Sequence, residues 1–126
     1  MQLFLSVWRW QGVGPRPCVT IRSGVNGQSE DAQLSGDYTG WAAGTSSGAY
    51  TGASAGGNLN RVLWRFDLAP VLTAMGGGPA AVTSATMRVY VAWNEEYTRV
   101  SVHQALAPWS EATVTGGSYP SSKWEA

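Results

Sequence analysis

One stretch, Arg61-Val62-Leu63-Trp64-Arg65-Phe66-Asp67-Leu68, constrains the fold more than any other part of the chain. Successive side chains of an extended strand point to opposite faces, so Val62, Trp64, Phe66 and Leu68 share one face and Arg61, Leu63, Arg65 and Asp67 the other. An apolar face backed by a mainly charged one describes a half-buried strand, with Trp64 and Phe66 in the core. The alternation returns in Ala85-Thr86-Met87-Arg88-Val89-Tyr90-Val91-Ala92-Trp93 and, in shorter form, in Arg99-Val100-Ser101-Val102-His103. Strands are therefore predicted over 61–68, about 83–93 and 98–106, with Asn94-Glu95-Glu96-Tyr97 as a hairpin loop and Met87, Val89, Val91, Val100 and Val102 facing inward. No stretch of comparable strength has helical spacing.

Composition agrees. In 126 residues only 13% are charged, while 16 are Gly and 7 are Trp, the profile of short strands joined by glycine-rich turns. Eight basic and eight acidic residues balance to zero net charge, so nucleic acid is not an expected partner. No apolar run approaches a membrane span, and no membrane insertion is expected. Cys18 stands alone, which excludes an intrachain disulfide, and one Cys with one His excludes a zinc site. Asp31, Asp37 and loop carbonyls offer hard oxygen ligands to calcium, but no spaced acidic loop accompanies them, so no cofactor is expected.

Residues 1–17, with Trp8, Trp10, Gly12, Gly14, Pro15 and Pro17, show neither a clean strand nor a clean helix and read as an N-terminal arm or leader. They lack the basic start and small-residue cleavage site of a signal peptide. A β-sandwich domain is expected over 18–126. Short strands at Val19 to Arg22 and Ala32 to Ser35 flank Asn26-Gly27, the dipeptide of a tight hairpin. From Gly36 to Gly57 the chain is rich in Gly, Ser, Thr and Ala but carries Tyr38, Trp41 and Tyr50, which favours a long surface loop or weak edge strands over a flexible linker. Ala69 to Met75 suits a helical turn or short crossover, ended by Gly76-Gly77-Gly78-Pro79.

Three motifs stand in order: Arg61 to Leu68 (R-x-L-x-R-F-D-L), Ser84 to Tyr90 (S-A-x-M-R-V-Y) and Trp109 to Thr115 (W-S-E-A-x-V-T). Together with Val25-Asn26-Gly27 and Asp31-Ala32-Gln33-Leu34, they resemble the DNRLRE domain, a family grouped with carbohydrate-binding module family 96 and found in bacterial and archaeal extracellular proteins. The resemblance covers roughly residues 19–119. It implies an all-β, jelly-roll-like antiparallel β-sandwich without catalytic residues, appended to secreted enzymes or surface proteins, some members of which bind acidic polysaccharides. Where the family carries a tryptophan after W-S-E-A-x-V-T, this chain has Gly116. It also ends about ten residues further on, which implies a sandwich lacking its closing strands and an open edge for a neighbouring chain.

The polar register of the three predicted strands carries Arg61, Arg65, Arg88, Tyr90, Arg99 and His103. Sharing one sheet, these residues would line a surface suited to a carboxylated or sulfated glycan, since Arg forks grip carboxylate bidentately and a Tyr ring offers a platform to a sugar face. The plainer reading pairs them with Asp67, Glu95 or Glu96 as solvated positions, and a jelly roll that sends consecutive strands to opposite sheets would divide them. Trp41, Tyr50, Trp93 and Tyr97 lie in loops or at strand ends, where a stacking ring would sit, although rings there also cap cores. Trp109 and Glu111 read as structural, the indole covering the end of the core and the carboxylate bonding backbone N–H groups of its turn.

Catalysis has little material. His103 is the sole histidine and lies near no nucleophile elbow, while Glu95 and Glu111 lack an evident cleft for a glycosidase pair. Gly52 to Gly57 lacks the Lys-Ser/Thr of a phosphate loop. The expectation is a non-catalytic module binding acidic polysaccharide. The alternative is a structural jelly roll of a virion, appendage or cell surface that assembles with neighbouring chains.

Overall fold

The structure, a computed structural model, describes residues 3–8, 18–22, 27–74, 84–92 and 100–124. In chain order these form β1 (Leu3–Trp8), β2 (Cys18–Ile21), β3 (Ser29–Leu34), β4 (Gly52–Ala53), β5 (Leu59–Phe66), α1 (Ala69–Ala74) and β6 (Ser84–Val89), with a 3-10 turn at Ser121–Lys123. The protein is all-β apart from the short α1, as its alternation predicts. Its strands form two three-stranded sheets, β2-β1-β6 and β3-β5-β4. The chain divides into two compact units, Met1–Ser29 with Arg65–Val91 and Glu30–Trp64 with Ala92–Ala126.

In the first unit β1 is the middle strand, antiparallel to both neighbours, with Leu5 opposite Ile21 on one side and Met87 on the other. The sequence reading found no clean strand in residues 1–17, and this is corrected. Leu-Phe-Leu-Ser-Val-Trp is a nearly continuous apolar run, and such a run has no alternation by which to tell a strand from a buried helix. A ladder on both edges supplies the backbone partners that the local pattern does not announce. Ile21 and Val71 are the buried centre of this unit, with Val19, Phe66 and Leu68 packed against them. α1 delivers Val71. Its start is fixed by Asp67, whose Oδ1 accepts a hydrogen bond from the Ala69 N–H at 3.0 Å, and Pro70 sits in the first turn, where a missing amide proton costs little.

The second unit packs Ala32, Leu34, Leu63, Val114 and Tyr119 together, flanked by Ala107, Trp109 and Trp124. Burying one such Leu side chain is worth about 2 kcal/mol. β4 pairs antiparallel with β5 through Gly52 opposite Asn60 and Ala53 opposite Leu59, a two-residue edge that fits the expectation of a weak strand in this segment.

The structure departs from the sequence-based expectation at four places. The alternation of β5 is real, but its charged register does not simply face water. Leu63 is 8% exposed and belongs to the second unit's core, whereas Trp64 is half-buried and Phe66 packs in the first unit's cluster. Alternation separates two faces, and only long-range packing decides which is covered. The strand predicted at 98–106 is not formed over its described part. Residues 100–104 are irregular, Ala105 makes a single bridge to Trp124, and Val100 and Val102 are 58% and 74% exposed. β6 likewise ends at Val89, leaving Tyr90 and Val91 exposed. Finally, β2 and β3 lie in different sheets, while Asn26 of the predicted turn lies outside the described residues.

Candidate functional site

Six of the nine sequence-derived candidates lie among the described residues. Arg65 stands on β5 and Arg88 on β6, in different sheets, so the shared arginine face expected from their common register is not built. Arg61 is half-buried, its guanidinium lying 4.4 Å from the centre of the Trp124 ring. Tyr90, just past the end of β6, is exposed, and His103 is exposed in the irregular segment. Trp93, Tyr97 and Arg99 lie outside the described residues. The polar register specifies direction within one strand, whereas a shared face also requires that the strands be neighbours.

What the second unit does assemble is the loop between β3 and β4. Tyr38, Trp41 and Tyr50 are 71%, 46% and 69% exposed, unusual for rings of this size. The loop that carries them is anchored to buried polar groups. Ser35 accepts a hydrogen bond at its Oγ from the Tyr38 N–H at 3.0 Å, and Gln33 accepts one at its Oε1 from the Tyr50 N–H at 3.0 Å. Ser35 and Gln33 are both buried, so each bond satisfies a group that would otherwise be costly to remove from water. The Trp41 N–H in turn donates to the Tyr38 carbonyl, 3.0 Å away.

Further contacts hold the same loop. Asp37 accepts at Oδ1 from both Ser54 Oγ and Asn58 Nδ2, tying the loop's start to the turn after β4. The Gly117 N–H donates to the Thr39 carbonyl at 2.8 Å. Gly44 and Gly116 allow the backbone to approach closely, because a Cβ at Gly44 would collide with the Glu111 carbonyl oxygen and one at Gly116 with that of Ser35. Glycine at 116 is therefore a packing requirement. A polar, glycine-rich composition suggests a linker, but these bonds make an ordered loop presenting three rings. Trp41 was legible as a candidate and Tyr50 as a lesser one. Tyr38 was missed, although its place three residues before Trp41 in one loop was the available signal.

Trp109 covers the core as expected, but Glu111 acts at long range, accepting at Oε1 from the Asp31 N–H at 3.1 Å. The turn's own amides use the Ser110 carbonyl, which accepts from Thr113 and Val114. Burial, and then the nearby Glu111 carboxylate, push the Asp31 carboxyl above the usual carboxylate range. Among the described residues no group of three or more His, Cys, Asp or Glu side chains is placed to hold a metal ion. Asp37, one of the calcium candidates, accepts hydrogen bonds from Ser54 and Asn58. No helix among the described residues is long and apolar enough to cross a membrane.

No family model, no curated protein sequence and no solved structure matches the chain.

Proposed function

We propose that this protein is a non-catalytic module that binds polysaccharide through the rings of Tyr38, Trp41 and Tyr50. The observation that carries the reading is that one ordered loop exposes all three rings while its backbone is bonded to the buried side chains of Ser35 and Gln33. Ring faces held at low entropic cost suit the apolar faces of sugar rings. The resemblance of the three ordered motifs to the DNRLRE family supports the same reading, and with it a jelly-roll-like sandwich and a place in an extracellular or cell-surface protein. Arg65 and Arg88 stand in different sheets and are not part of the proposed ring surface. The test is retention in gels containing neutral or acidic polysaccharides. Trp41→Ala and Tyr50→Ala should each reduce retention several-fold with an unchanged melting temperature, and unchanged retention in both variants would sink the proposal.

A second reading, a structural module that assembles with neighbouring chains, is favoured by the exposure of Val100, Val102 and Leu106. Among the described residues β6 also pairs only with β1, which leaves a sheet edge of the kind a neighbouring strand could extend. Sedimentation at high concentration decides between them, since a clean monomer would rule assembly out.

A further inference from the structure

We infer that the ring loop takes an uncharged polysaccharide, in place of the acidic one expected from the resemblance, and that Asp37 is the residue that turns acidic polymers away. The inference deepens the polysaccharide reading and rests on it for the loop as the binding surface. Residues 36–58, which carry all three rings, hold no Lys or Arg, and their one charged residue is Asp37. The zero net charge of the chain hides a division between its units. Counted over its whole sequence, the second unit has seven Asp and Glu against three Lys and Arg, while the first has five Arg against one Asp. Of the three cations in the second unit, Arg61 is stacked on Trp124 and Lys123 donates to the Ser118 carbonyl. A polyanion approaching the rings therefore meets a unit whose net charge has its own sign.

The local chemistry selects in the same direction. The bond from the Trp41 N–H to the Tyr38 carbonyl closes a β-turn, Tyr38-Thr39-Gly40-Trp41, so two ring-bearing residues stand at the corners of one turn with Asp37 immediately before it. Among the described residues no second ring stacks on Tyr38, Trp41 or Tyr50, and neither phenol hydroxyl nor the Trp41 indole N–H has a hydrogen-bond partner. The ring faces are open to sugar rings and their polar edges to sugar hydroxyls. Asp37 is exposed, and its Oδ1 accepts from Ser54 Oγ at 3.0 Å and from Asn58 Nδ2 at 2.8 Å, which fixes the carboxylate beside the turn. A carboxylate offers about four acceptor sites, and these two bonds leave others open. A neutral sugar brings hydroxyl donors to them. The carboxylate of a uronate is a second acceptor-only group of like charge, so it donates nothing and is repelled.

The experiment is retention of the whole chain in native gels containing polymer pairs that share a backbone and differ in charge: hydroxyethyl and carboxymethyl cellulose, and galactomannan and polymannuronate. Only the retention lost in Trp41→Ala is read, because the arginine-rich first unit can hold a polyanion by itself. Trp41-dependent retention is expected on a neutral member and should be weaker on its acidic partner. Asp37→Asn keeps an oxygen able to accept from Ser54 and Asn58 and removes the charge. It should raise Trp41-dependent retention on the acidic member relative to the neutral one about two- to fivefold, the range of one exposed charge pair. Thr39→Lys, at an exposed position of the turn, should move the ratio the same way, and it decides the matter if Asp37→Asn lowers the melting temperature. Trp41-dependent retention as strong on an acidic member as on its neutral partner would overturn the inference and leave the loop reading standing, as would a ratio unchanged in every folded variant. No Trp41-dependent retention on any polymer would instead remove the loop reading, and the inference with it.

Discussion

The guanidinium of Arg61 lies 4.4 Å from the ring centre of Trp124, joining the middle of β5 to the last described residue of the chain. Trp124 also packs on the second unit's core and bridges Ala105, so the stacked pair closes this part of the unit. Arg61→Ala should therefore cost about 1 kcal/mol in urea unfolding, through the lost cation–π contact and the lost cover of the arginine stem. Polysaccharide retention of the folded variant should match that of the parent. A variant of unchanged stability and reduced retention would show instead that Arg61 meets the ligand.

Among the described residues Tyr119 is the largest fully buried side chain, and its hydroxyl both donates to the Ala107 carbonyl at 2.7 Å and accepts from the Ala107 N–H at 3.3 Å. Tyr119→Phe keeps the ring and strands both backbone groups. A loss of about 1–3 kcal/mol is expected, with faster hydrogen exchange at the Ala107 amide. Stability within a few tenths of the parent would mean that water replaces the hydroxyl without penalty.

Gly116→Ala would drive a methyl group into the Ser35 carbonyl oxygen, a backbone atom that cannot swing aside. Destabilisation of about 1–3 kcal/mol follows, with loosening of the loop that Ser35 anchors. Gly48→Ala is the control, because a Cβ there meets nothing within 4 Å. It should be neutral or slightly stabilising by reducing the freedom of the unfolded chain. Thermal melts of the pair test the contrast, and equal melting temperatures would refute it.

Asp31 gives a pH signature. Burial and Glu111 raise its carboxyl above the ordinary range, so in the window between the unfolded and the raised folded value the native state binds the proton more strongly. The unfolded state then holds fewer protons, and stability from this group falls as pH rises through that window. The penalty is fully present at neutral pH and relieved in acid. Asp31→Asn should accordingly raise the melting temperature at pH 7, and the gain should shrink toward zero as the pH drops below the unfolded carboxylate value. A gain independent of pH would assign the effect to something other than ionisation.

Legibility followed the range of the interaction. The strand at Arg61 to Leu68, the helical turn after Asp67 and the short strand before Arg22 were all visible, because each rests on local alternation, a local cap or a bounded apolar run. β1 was not visible, since Leu3–Trp8 has no alternation and is a strand through its ladders to β2 and β6. Val100 and Val102 showed the opposite error. Their alternation is as good as that of β6, yet they are exposed and irregular, because alternation without a pairing strand does not make a sheet. Among the rings of the β3–β4 loop, the exposure of Trp41 was readable from an aromatic residue in a polar, glycine-rich stretch.

The amino-acid sequence alone determined that this chain is built from strands, that its formal charges balance to zero, and that its large rings interrupt a glycine-rich stretch. Those properties follow from side-chain period and composition, which are local or additive. Tertiary structure alone decided that Arg65 and Arg88 belong to different sheets, that Leu63 rather than its even-numbered neighbours enters the second unit's core, and that Arg61 stacks on Trp124. Sheet partnership and burial depend on contacts between residues far apart in the chain, and nothing in the period of one strand specifies the strand that will lie beside it.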